Sequence, residues 1–167
     1  MNKTKKIRIL FIFIGYLVLF DFKHSLAKNI SKYDAQAIFL SNLTKYVNFN
    51  KNIEDYQFCL LEKTPLYSKL KEKFKTLIKY ENDELLNCDI LFIDKNYSQN
   101  ISKIIYKINN KSVLTISDKY QFVEINNGIM EVNLNKNKVK LLININKIKN
   151  SSIDLDERIL KISEFFN

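Results

Sequence analysis

The chain holds a single histidine, His24, and it lies in an N-terminal stretch that reads as removable. What remains has no imidazole for general-base catalysis, for a serine–histidine pair or for a histidine-bound zinc. Its two cysteines, Cys59 and Cys88, sit in separate apolar runs and cannot build a cysteine-rich metal site. Glycine is nearly as scarce, since Gly15 lies in the N-terminal apolar run and Gly128 alone stands in the rest of the chain. One glycine makes neither a phosphate-binding loop nor a dinucleotide fingerprint. No catalytic residue, cofactor site or metal ligand is therefore assigned. With one proline and no repeat or Pro/Gly/Ser-rich linker, the 167 residues suit a single domain large enough for a real core.

Apolar residues make up 46%, with 12 Phe and 9 Tyr, which argues for a folded domain rather than disorder. The formal charge of +9 invites a nucleic-acid partner, but much of it is local. Lys3, Lys5, Lys6 and Arg8 precede the apolar run "ILFIFIGYLVLF" (9–20), and "SLA" (25–27) offers small residues for cleavage. That is the pattern of an export signal over 1–27, leaving a domain over 28–167. An uncleaved anchor is the alternative, although Asp21, Lys23 and His24 close the run too soon for a span of about 20 residues. Cleavage after Ala27 removes five basic residues and one acid, so +9 falls to +5, spread along the chain. Neither nucleic-acid binding nor membrane insertion of the mature domain is supported. In an oxidising compartment an even pair of cysteines points to a Cys59–Cys88 disulfide. Two buried free thiols are the alternative, because "QFCLL" and "NCDILFI" both read as core strands.

Between Ser31 and Val47 the apolar positions Ala35, Ile38, Phe39, Leu43, Tyr46 and Val47 recur at three and four, a helical period. "YQFCLL" (56–61) reads as a strand, and Pro65 opens a second helix along Leu66, Leu70, Phe74 and Leu77. "TLIKY" (76–80) is readable as that helix's end or as a strand. The helix's "KLKEKFK" (69–75) is a charged, solvated face. "CDILFID" (88–94) is nearly unbroken apolar, as in a strand covered on both faces. A helix along Ile101, Ile104, Ile105 and Ile108 and a strand "SVLTIS" (112–117) follow. Alternation of this kind predicts an α/β fold, a three-layer domain with a mostly parallel sheet and helices on both faces. "IMEVNLNKNKVKLLININ" (129–146) predicts a C-terminal antiparallel strand pair turning near Asn135–Asn137, and "LDERILKISEFF" (155–166) a closing helix.

Two features invite a site. Asp94 and Asp118 each follow a strand, and ligands of parallel α/β sheets bind beyond the strands' carboxyl ends. The plainer expectation is that Asp94 ends its strand in solvent and Asp118 caps the helix after it, with no basic partner nearby. Gly128 precedes the first antiparallel strand, where glycine takes positive φ without penalty, so it is assigned as a structural turn.

Taken in order, these pieces resemble the YfiR/HmsC-like family of small exported proteins. "AQAIFLSNLTKYVNF" (35–49) is similar to its opening helix, "FCLLEKTPL" (58–66) to its first strand and "LLNCDILFI" (85–93) to its most specific strand. "SVLTISD" (112–118), "NNGIMEV" (126–132), "KVKLLIN" (138–144) and "LDERILKIS" (155–163) continue the match. Asn127 stands where the family has the first glycine of a pair, Lys140 where it has arginine, and Leu141 where it prefers phenylalanine. Asparagine suits that position because it tolerates the left-handed region better than other side chains. The resemblance implies a periplasmic regulator, not an enzyme and without a cofactor. It would restrain an inner-membrane diguanylate cyclase through that enzyme's periplasmic sensor region, lowering cyclic di-GMP and biofilm formation. Homodimerisation is left open. A competing reading is a small-ligand-binding module serving a sensor kinase or an outer-membrane transporter. A hydrolase using Asp94 and Asp118 ranks below both.

Overall fold

Ile90 to Ile93 are each at most 1% exposed, so this strand has to be covered on both faces. The computed structural model describes residues 30–50, 52–74, 77–79, 84–109, 112–135 and 138–167, and the expected leader lies outside them. The strands are β1 Val47–Asn48, β2 Phe58–Leu60, β3 Leu77–Lys79, β4 Ile90–Ile93, β5 Leu114–Ser117, β6 Met130–Asn135, β7 Lys138–Asn144, β8 Asp154–Leu155 and β9 Ser163–Phe166. The helices are α1 Lys32–Leu43, α2 Pro65–Lys71, α3 Ile101–Ile108, α4 Phe122–Asn126, α5 Ile145–Lys149 and α6 Glu157–Leu160.

Seven strands form one sheet in the order β3-β2-β4-β5-β6-β7-β9, and β1 pairs with β8 separately. β3, β2, β4, β5 and β6 run parallel, β7 returns antiparallel to β6, and β9 lies parallel to β7. The fold is thus the expected α/β domain with a mostly parallel sheet and an antiparallel pair near its end. Alternation along the strands sorts the side chains into two cores. Phe58, Leu60, Phe92, Ile116 and Val132 pack with Leu40 and Leu43 of α1 and Leu66 and Leu70 of α2. Cys59, Leu91 and Ile93 pack with Ile101, Ile104, Ile105 and Ile108 of α3 and Phe122 and Val123 of α4. Each fully buried Leu, Ile or Phe contributes about 1.5–3 kcal/mol.

Cys59, on β2, is bonded to Cys88, two residues before β4 begins, with Cα atoms 5.9 Å apart. The bond closes a separation of 29 residues that includes α2 and β3. In the chain-entropy account a loop of this length is worth about 3–4 kcal/mol.

Two expectations need correction. The segment 155–166 is not one helix: Leu155 pairs with Val47, α6 lasts a single turn, and β9 adds to the free edge of β7. Asp156 caps α6 by accepting from the Arg158 amide at 2.8 Å, and the Ser163 hydroxyl donates to the Ile159 carbonyl at its end. Helical spacing at 155, 159, 162 and 166 is misleading here. Ile159 belongs to the core under α1, Phe166 packs against the opposite core, and Ile162 is exposed. One helical stripe cannot reach both faces of a sheet; here the single turn of α6 serves one face and the strand β9 the other.

The second correction concerns Gly128. Its φ lies outside the left-handed region, and Asn127 takes that conformation instead, at φ 57°. Both amides donate to the Phe122 carbonyl, Gly128 at 3.3 Å, which closes the end of α4. Glycine is needed because a Cβ at this position would lie 2.1 Å from Cε1 of the Phe122 ring. That ring is fully buried and has no room to move aside.

Gly128→Ala is therefore expected to cost about 1–3 kcal/mol through overpacking rather than backbone strain. Combined with Phe122→Leu, it should cost less than the sum of the two single changes, read by denaturant unfolding. Additive losses would mean that the ring contact is not the reason for the glycine.

Candidate functional site

Beyond the carboxyl ends of β4 and β5 the chain places Asp94 and Asp118, each one residue past its strand. Register pairs Ile93 with Ser117, so the two acids are neighbours, and the Ser117 hydroxyl donates to the Ile93 carbonyl at 2.7 Å. Into this gap α1 delivers Lys32. Its Nζ lies 3.2 Å from Oδ2 of Asp94 and 2.9 Å from Oδ2 of Asp118. One turn later Gln36 donates from Nε2 to Oδ2 of Asp118 at 3.0 Å. The remaining carboxylate oxygens accept backbone amides, Lys95 on Asp118 at 2.7 Å and Asn96 on Asp94 at 2.9 Å.

The sequence reading of these acids is overturned. Asp94 is buried rather than solvated, and Asp118 does not cap the following helix. The first amide of α4, that of Phe122, donates instead to Oε2 of Glu131 on β6, at 2.9 Å. A basic partner is present in Lys32, one that sequence spacing did not reveal. A weak signal existed, because Gln36 lies in phase with Leu40 and Leu43 at four and seven residues. A polar side chain on a buried helical stripe has to find polar partners below it.

Burial pulls the Lys32 ammonium toward a lower pKa, but hydrogen bonds and charge from Asp118 and Asp94 outweigh it and leave the value raised. All four carboxylate oxygens are occupied, so neither acid is free to take a proton from a substrate without breaking the cluster. Chemically the arrangement is a clamp. It fastens the start of α1 across the ends of two central strands.

A model of the YfiR/HmsC-like family matches residues 33–164, which include both acids, both cysteines and Gly128. No curated protein matches the chain.

Lys32→Met is expected to destabilise the fold by about 1–3 kcal/mol, because it leaves two adjacent carboxylates without their countercharge. Adding Asp94→Asn should recover part of that loss. Since the folded pKa of Lys32 lies above its ordinary 10.5, the unfolded chain gives up this proton first as pH rises. The clamp's contribution is complete below about pH 10.5 and fades as pH climbs through the folded value. Thermal unfolding from pH 8 to about 12 should show that alkaline loss in the native protein and not in Lys32→Met.

Proposed function

The chain belongs to the YfiR/HmsC-like family, and on that premise we propose that it restrains an inner-membrane diguanylate cyclase by binding the cyclase's periplasmic sensor region. The family is one of periplasmic, non-catalytic regulators in the cyclic di-GMP pathway. The observation that carries the proposal is the extent of the match, 33–164, which takes in every strand of the main sheet but the last residues of β9.

Three features support the finer reading. Export through the signal over 1–27, with cleavage after Ala27, puts the domain on the side of the membrane where a sensor region lies. A disulfide between β2 and the start of β4 suits an oxidising compartment. Among the described residues no helix is long and apolar enough to cross a membrane. Tyr106, Tyr120 and Ile125, exposed on the α3–α4 layer, offer apolar surface for such a contact.

A restraining protein acts only through unequal affinity for the cyclase's two states. Shifting an equilibrium from 1:99 to 99:1 takes about 10⁴-fold preference, whereas equal affinity shifts nothing. Deletion of the gene is expected to raise cellular cyclic di-GMP and surface attachment, with both restored by the gene in trans. Unchanged cyclic di-GMP, with no inner-membrane protein co-isolated, would contradict the proposal.

A further inference from the structure

At the opposite end of the sheet from the Lys32 clamp, a cavity of about 570 Å³ opens beside the start of β5. The C-terminal end of α3 forms one wall, the residues leading into β5 and β6 the floor, and α5 with the turn after it the other wall. Ile105, Ile108, Val113 and Ile129 line its inner part. Polar side chains complete the lining, among them the Ser112 and Ser152 hydroxyls, which are hydrogen-bonded to each other. The size lies within the roughly 300–1,000 Å³ of small-ligand pockets.

Among the described residues one charge faces this space. Lys147 is the sole ionisable side chain among the described lining residues, and its Nζ donates to the side-chain carbonyl of Asn109, a neutral partner. Its position is fixed from below, because Asn144 caps α5 by accepting the Lys147 backbone amide at 3.0 Å. Burial pulls its pKa below the ordinary value. No carboxylate among the described residues pairs with it, in contrast to Lys32 with two. Among the described residues this partly desolvated ammonium has no countercharge, and the four apolar side chains Ile105, Ile108, Val113 and Ile129 stand in an otherwise polar lining. That pairing of charge and hydrocarbon is complementary to one kind of molecule.

We infer that this cavity binds a small monocarboxylate with a hydrocarbon body, the carboxylate on Lys147 and the body against Ile105, Ile108 and Ile129. Inorganic phosphate would leave the apolar wall unfilled, and a neutral alcohol of the same shape would leave the ammonium unpaired. Charge-assisted hydrogen bonds to carboxylate are about twice as strong as neutral ones, so the discrimination should be measurable. The inference does not depend on the cyclase, because binding is read on the isolated protein.

The test uses the mature protein with hexanoate and 4-phenylbutyrate as probes, and 1-hexanol and inorganic phosphate as comparisons. Calorimetry gives affinities, and methyl NMR locates binding through Ile105, Ile108 and Ile129. The carboxylates should bind saturably and at least tenfold more tightly than either comparison. Lys147→Met should lose at least tenfold for carboxylates and leave 1-hexanol unchanged, while Lys147→Arg keeps carboxylate binding. Should Lys147→Met not fold, the Lys147 ammonium in the native protein gives the second readout, its pKa rising with hexanoate and not with 1-hexanol. Equal binding of acid and alcohol, retention in Lys147→Met, methyl shifts elsewhere, or no saturable binding would each overturn the inference. Any of these would leave the cyclic di-GMP test unaffected.

Discussion

Four consecutive apolar side chains, Ile90 to Ile93, have to be kept from water on both faces of one strand, and much of the fold follows from that need. It requires helices on each side of the sheet, and α1 and α2 cover one face while α3 and α4 cover the other. It also sets what can stand at the strand's two ends. At the entrance Cys88 is tied to β2, and at the exit Asp94 turns into the cluster with Lys32 and Asp118. A covalent bond and a charged clamp thus secure the two ends of the same buried strand.

This arrangement bears on function. Strand-end acids in a parallel sheet often serve a ligand, yet here their oxygens are taken up by Lys32, Gln36 and two backbone amides. Among the described residues the outer surface and the cavity beside Lys147 remain available for recognition. Action through affinity is the reading proposed for the domain, and it accords with a family of regulators. The two regions proposed for recognition share α3, which carries Tyr106 outward and Ile105 and Ile108 into the cavity wall.

Local pattern disclosed the elements whose burial is uniform or strictly periodic. β4 was legible as an unbroken apolar run, and α3 as four isoleucines at helical spacing, although the Asn100 side chain that caps it was not singled out. The end of the chain was not, because 155, 159, 162 and 166 satisfy a helical period while their partners lie on opposite faces of the sheet. The first helix also ends earlier than its periodicity suggested, at Leu43, since Val47 is claimed by pairing with Leu155. Gly128 was correctly suspected of constraint but for the wrong reason. Steric contact with Phe122 is a tertiary fact, absent from any local pattern, and so is the reach of Lys32 over 62 residues to Asp94. Long-range charge pairs and ring contacts leave little trace in a single sequence.

The central claim is that a folded, oxidised binding domain operates outside the inner membrane. The intact mass of the protein released from the periplasm tests it most directly. The account predicts a chain beginning at Lys28 and lighter by the two hydrogens lost when Cys59 and Cys88 join. A folded protein found in the cytoplasm, beginning at Met1 and carrying two free thiols, would contradict it.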